Sequence, residues 1–361
     1  MKENILDIAE KLVKIESTSS NPKQLEEVVD VVENYFLNKE LNIERYIQNS
    51  KHSIIISNTA EKKKTIILNG HLDVVAAEKH LFKLRRNGDK ISGRGVFDMK
   101  AFVAMLMVAT VEITEVRPEL SVGLMLSTDE EIGGDNGIEY LLNEKKYSCD
   151  LAYIPDGGGH FNILTEEKGL LVLKITAQGT TAHSAYLWRG NNAIVKLIDI
   201  YNRLLETYPN PQKDEDWRTS INLSKIVGGS TINKVPEKAI MYLDIRFPYP
   251  VSAESIIEEV KNIIGNDTIS VENLIDGTTF YSNSDNHYIQ KYKGIAEKHL
   301  GRQVKFTKSP GAADARFLSD RGIPVIMTRC DGGGLHSPDE WISVSKLLHQ
   351  YEILMDFLKT V

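Results

Sequence analysis

Hydrophobic residues recur at three- and four-residue steps over residues 5–15 and again over 25–37. That spacing lines the apolar side chains along one face of a helix, so two amphipathic helices are predicted, joined by a polar loop at 17–22. Further along, the period changes. Short apolar runs occupy 53–57, 65–68, 120–126, 151–154 and 323–327, each rich in Ile, Val or Leu and bounded by polar or Gly-containing loops. Such runs suit strands buried on both faces of an α/β sheet. Between them, 99–116 reads as a buried helix and 136–143 as a shorter one.

The middle of the chain has another rhythm: a strand at 170–177, a helix at 191–208, strands at 220–227 and 239–247, a helix at 252–264 and a strand at 268–274. This β-α-β-β-α-β order is the ferredoxin-like arrangement. It predicts a domain at 168–276 inserted into an α/β domain built from 1–167 and 277–361, the latter resuming with a helix at 287–300.

Composition narrows the function classes. A chain of 361 residues is long enough for two cores, and its 42% hydrophobic and 26% charged residues are ordinary for a globular protein. The formal charge of −7 and the lack of a long basic block argue against nucleic acid as partner. The run Lys62, Lys63 and Lys64 is expected as a solvated turn before a strand. With two cysteines, Cys149 and Cys330, a disulfide framework is not expected. Neither a signal-peptide core nor a membrane-spanning run is visible, so a cytoplasmic setting without membrane association is the expectation.

Metal-ligand residue types follow four of the apolar runs: His71 and Asp73 after the second, Asp129, Glu130 and Glu131 after the third, Asp156 after the fourth, and His336 after the last. In α/β sheets ligands bind outside the carboxyl ends of the strands, so these positions can converge in space. Asp98 lies in the loop that opens the buried helix. One Asp before a helix is more often a cap than a ligand. Two histidines with several carboxylates, all at strand ends, instead match the mixed nitrogen and oxygen donors that zinc accepts. The adjacent pair Glu130-Glu131 allows one residue to bind metal while its neighbour serves as a base.

Three segments carry a resemblance: Gly70-His71-Leu72-Asp73-Val74-Val75, the loop Gly93-Arg94-Gly95 to Asp98-Met99-Lys100, and Thr128-Asp129-Glu130-Glu131-Ile132-Gly133-Gly134. Together they resemble the family of acetylornithine deacetylase, succinyl-diaminopimelate desuccinylase, aminoacylase and carboxypeptidase G, co-catalytic zinc metallopeptidases. The likeness covers nearly the whole chain. It implies a zinc-exopeptidase-like catalytic domain, a central mixed sheet with helices on both faces, and an inserted ferredoxin-like lid and dimerisation domain. It implies two divalent ions, zinc or else cobalt or manganese, bridged by Asp98, with His71 and Asp156 completing one site and Glu131 and His336 the other. Asp73 would orient His71. Glu130 would be the general base, taking a proton from water and passing it to the departing amine.

The resemblance also singles out residues of the inserted domain. His183 would support the oxyanion in the site of a partner subunit, making the protein a homodimer, and Asn233 would help complete that site. Arg246 would hold a substrate carboxylate, with a salt bridge to Asp244 as the competing reading. Gly311, in the segment from Ser309 to Phe317, would offer backbone groups to substrate, and Asp314 and Arg316 read as structural partners. Asp156 stands where the deacetylase and desuccinylase branches commonly have Glu, which resembles the peptidase branches. The expected reaction is cleavage of the amide bond of a small N-acyl amino acid. The alternative is an exopeptidase for dipeptides or short peptides, with Asp331 as a candidate receiver of the free amine. A catalytically silent metal- or ligand-binding homologue is the remote alternative.

Overall fold

The computed structural model describes residues 2–213, 215–265 and 268–361. The chain divides into two compact units, one of residues 1–165, 282–308 and 313–361, the other of 166–281 with 309–312. The second boundary therefore falls at 281 rather than at the expected 276, and Gly311 belongs with the second unit.

The first unit is built on a mixed sheet. Its strands run in the order Asn42–Gln48, Lys51–Ser57, Val122–Ser127, Lys63–His71, Ser148–Ile154, Val325–Met327 and Ile163–Glu167. Four neighbours in the middle, Val122–Ser127 through Val325–Met327, are parallel, so their carboxyl ends share one edge of the sheet. Their side chains are buried nearly throughout, which is why the runs are continuous rather than alternating. Helix Ala101–Val116 packs against Lys2–Val13 and Val344–Leu358. Phe102, Val103, Met105 and Leu106 on that helix are fully buried. Burial all round explains why it shows little amphipathic period.

A small antiparallel sheet accompanies the large one. Gly332–Gly333 pairs with Trp341–Ser343, which pairs with Lys90–Ser92, which pairs with Arg85–Asn87. It fastens the returning end of the chain to the segment just before Asp98.

The second unit is a four-stranded antiparallel sheet in the order Ser220–Gly228, Lys238–Phe247, Gly169–Gln178, Ile269–Gly277. With helices Ala193–Thr207 and Ala253–Ile264 this is the ferredoxin-like topology predicted from the element order. Leu171, Leu173, Ile175 and Ala177 alternate with less buried neighbours and face Leu197, Leu204, Ile256 and Val260 of the helices.

Several elements escaped the sequence pattern. Strand Asn42–Gln48 is a half-exposed edge, and its charged residues mask any alternation. Helix Val344–Leu358 closes the core of the first unit and was not anticipated. Lys64 is no solvated turn residue. It lies inside strand Lys63–His71 at 2% exposure, and its ammonium donates to the carbonyls of Thr59 (2.8 Å) and Glu61. Those acceptors satisfy the buried charge.

Candidate metal centre

Strand Lys63–His71 ends on a histidine that is 1% exposed. Nδ1 of His71 lies 3.0 Å from the backbone carbonyl of Asp73, an acceptor only, so this nitrogen is assigned the proton. Nε2 then faces the site. It is buried and has no hydrogen bond among the described residues, although Asp98 Oδ1 stands 3.4 Å away.

Asp98 occupies the turn Val96–Lys100 that opens the buried helix. Its two oxygens are divided: Oδ1 faces His71, while Oδ2 lies 3.0 Å from Nε2 of His336. Burial opposes its ionisation, but the hydrogen bond with His336 and the nearby His71 imidazole hold the carboxyl well below the usual range. Ligand atoms of His71, Asp98 and Asp156 lie within 4.8 Å of one another, and so do those of Asp98, Glu131 and His336. Asp98 is common to both groups.

The remaining donors are close-set carboxyls in a dry environment. Burial and then the charge of Asp98 push Asp156 up to about 7, and Arg329 sits 3.5 Å from its Oδ1. Burial raises Glu131, which lies 3.4 Å from His336. Glu130 stands next to these groups rather than in them, 4.0 Å from His71 Nε2, and burial raises it well above the ordinary value. His71 shows the converse: burial disfavours its charge, but Asp73, Asp98 and Glu130 outweigh that and hold it well above 6.5. A cluster with this much suppressed ionisation and one orphaned imidazole nitrogen fits divalent cations, whose charge would release the protons. The set of two imidazoles and three carboxylates suits zinc-type ions.

The structure gives Asp73 a wider part than the sequence did. Its backbone carbonyl orients His71, and its carboxylate accepts the amides of Glu130 (3.2 Å) and Glu131 (3.1 Å). One residue thus fixes both the imidazole and the acidic turn. That turn closes on Gly133 and Gly134 at positive φ, and a Cβ at Gly134 would collide with Asp314 and Phe317. Asp314 is buried against Ser127, and burial and the charge of Asp129 push it up to about 8. Arg316 donates to the Gly133 carbonyl, so both residues brace the turn. His336 itself adopts φ +58°, a backbone region rare for non-glycine residues and recurrent at functional sites.

Two residues were missed by sequence reasoning. Glu340, 1% exposed, accepts from Arg94 (2.6 Å) and from the amides of Gly95 (2.9 Å), Phe97 (2.8 Å) and Asp98 (3.1 Å). It shapes the loop that presents Asp98. Arg329 lies over the Phe97 ring at 4.5 Å and beside Asp156. Glu340 carried no signal beyond being an acid in a loop. Arg329 stands directly before Cys330 and Asp331, yet nothing in its spacing marked it.

His183, Asn233, Arg246 and Gly311 lie in the second unit. There the backbone brings two of them together: His183 is bridged to Lys234, and Ser184 donates to the Asn233 carbonyl at 3.0 Å. Nδ1 of His183 accepts from the Ala185 amide at 3.2 Å, which leaves Nε2 as an exposed donor. Arg246 is engaged, its guanidinium forked onto Asp244 at 2.8 and 3.2 Å. The Gly311 amide donates to Ser309 Oγ at 3.1 Å. In the first unit, Asp331 is paired with His160.

Parallel strands that deliver imidazoles and carboxylates to one sheet edge, around a shared aspartate, define a class: a metallohydrolase acting on amide or peptide bonds. Residues 67–360 match the model of Peptidase family M20/M25/M40, and the chain belongs to that family. It is 27% identical over 321 residues to the succinyl-diaminopimelate desuccinylase of Rickettsia bellii (strain RML369-C), covering 82% of this chain and 81% of that protein. Among solved structures it resembles the aminopeptidase PepT of Bacillus cereus ATCC 10987, with a TM-score of 0.81 at 18% identity over 99% of this chain and 98% of that one. A tripeptidase of Staphylococcus aureus is also similar, with a TM-score of 0.75 at 19% identity over 100% and 98%. At those identities the structural likeness concerns the fold.

Proposed function

We propose that the protein hydrolyses the amide bond of a small N-acyl amino acid with two divalent ions, zinc by the chemistry of the donors, and with Glu130 as general base. The division of the Asp98 oxygens between His71 and His336 carries this reading. When bound, the ions supply Lewis acidity and lower the pKa of a water molecule. His71, Asp98 and Asp156 would hold one ion, and Asp98, Glu131 and His336 the other.

The residues of the chain supply the proton traffic. Glu130 stands 4.0 Å from His71 Nε2, and burial raises its affinity for a proton, so it can take one from water and return it to the leaving amine. The Nε2 donor of His183 suits a developing oxyanion, and Asn233 lies on the neighbouring segment. Arg246 would anchor the substrate carboxylate by exchanging its Asp244 partner. Gly311 would offer its backbone. The exposed side chains of Leu187, Trp188 and Ile232 support a homodimer through the second unit. Cys149 and Cys330 are both free and buried, in keeping with a cytoplasmic setting, and no helix among the described residues is long and apolar enough to cross a membrane.

The exopeptidase reading stays as the second one, because Asp156 resembles the peptidase branches. Its candidate amine receiver, Asp331, is paired with His160. Hydrolysis of N-succinyl and N-acetyl amino acids, compared with unblocked di- and tripeptides by the metal-loaded protein, decides between them. Turnover of the peptides alone overturns the deacylase reading.

A further inference from the structure

Away from the Asp98 cluster, a second set of metal-binding side chains sits where two helices meet. Helix His287–Leu300 packs against helix Val344–Leu358, with Tyr292 edge-on to Phe357 at 5.4 Å between ring centroids. Beyond that contact, His299 comes from the last turn of the first helix, and His349 and Glu352 from the second. Ligand atoms of these three residues lie within 4.8 Å of one another.

We propose that His299, His349 and Glu352 form a third divalent transition-metal site, clamping helix Val344–Leu358 to helix His287–Leu300. His349 and Glu352 are three positions apart, so they share a helix face one turn long. Asp356, four positions further, continues that face and accepts from Nε2 of His299 at 2.9 Å. A carboxylate holding one ring nitrogen is the usual neighbour of a metal-binding imidazole. Phe161 stands edge-on against His349 at 5.8 Å, and the His299 and His349 rings are 5.7 Å apart. The rings are thus backed by packing rather than loose in solvent.

The chemistry selects the ion. Two imidazoles with a carboxylate favour Zn(II), Ni(II) or Cu(II) over Mg(II) or Ca(II), which prefer all-oxygen shells. The position favours any cation, because the carbonyls that end helix His287–Leu300 carry partial negative charge. Asp356 also pairs with Lys359 (3.1 Å), which steadies the carboxylate that orients the His299 ring. The site is independent of the hydrolytic reading, since none of its residues belongs to the Asp98 groups.

The test counts ions in the full chain. Chelated protein is dialysed against micromolar free zinc, and bound metal is measured by elemental analysis for the wild type, His349→Ala and Glu352→Gln. Each variant is expected to bind one equivalent fewer than the wild type and to keep its hydrolytic rate. Because the readout is a difference, it stands whatever number of ions Asp98 holds. Glu352→Gln preserves the shape of the side chain and answers the question even if His349→Ala fails to fold. Equal zinc content in the wild type and Glu352→Gln overturns the proposal.

Discussion

Glu340 accepts the backbone amide of Asp98 at 3.1 Å across 242 positions of sequence. Its other oxygen receives Arg94 and the Gly95 amide, so one buried carboxylate sets the course of the loop that carries the shared aspartate. Replacing it by alanine leaves the Arg94 guanidinium, 4% exposed as a residue, without its partner. Breaking a buried pair in this way costs about 3–5 kcal/mol. Glu340→Ala is expected to lower the unfolding free energy obtained from urea titration by that measure and to weaken metal binding. A variant with unchanged stability and metal content would show that the loop holds its shape without Glu340.

Glu130 stands 4.0 Å from His71 Nε2 without belonging to either donor group. Glu130→Ala should therefore reduce kcat by about 100- to 10,000-fold, the usual contribution of a general base, while metal content stays near that of the wild type. Elemental analysis and steady-state rates on one preparation separate the two effects. Loss of metal from this variant would reassign Glu130 as a ligand.

Asp73 acts on His71 through its backbone and on the Glu130-Glu131 turn through its carboxylate. Asp73→Asn keeps the first interaction and replaces one acceptor oxygen of the second by an amide that faces an N–H donor. Activity or metal affinity should fall about 10- to 100-fold, as for other residues that orient ligands. The effect should appear with little change in far-ultraviolet circular dichroism. Full activity would mean the turn is held by Asp314 and Arg316 alone.

Protons and metal compete at this site. Asp156 is pushed up to about 7 and Asp314 to about 8, while Glu130 and Glu131 are also raised. Between the ordinary aspartate value of 3.8 and these values, the metal-free folded chain holds protons that the unfolded chain has released. Its stability is therefore fully supported by these groups below that ordinary value and declines as pH rises through about 7 to 8. His71, raised as well, adds to the same slope. Asp98, lowered, acts oppositely, its contribution being lost as pH falls below the ordinary aspartate value of 3.8. Urea midpoints of chelated protein should fall from mildly acidic to mildly alkaline pH, and metal should abolish the decline. Calorimetric titration in buffers of different ionisation enthalpy should register proton release on binding.

Much of this was legible in the chain. The four buried parallel strands announced themselves as continuous apolar runs, and the alternation of Leu171, Leu173 and Ile175 marked the ferredoxin-like sheet. His71, Asp98, Glu131, Asp156 and His336 stood at strand ends or a helix start, where ligand types are conspicuous. What stayed hidden depends on contacts distant in sequence. Glu340 matters through loop amides that no period encodes. The small sheet uses two- and three-residue strands, one of them Gly332–Gly333, too short for any pattern. Arg246 was open to two readings because residues two apart on a strand share a face, and in the structure Asp244 takes its fork.

The donors also differ in when the ribosome delivers them. On the proposed assignment, His71, Asp98 and Asp156 are all made before the second unit begins at Glu166, whereas His336 follows it. A nascent chain paused within the second unit carries every donor for one ion and two of three for the other. The two donor groups are thus assigned to different stretches of chain: the first is complete in sequence before the second unit, and the second waits for the segment that follows it.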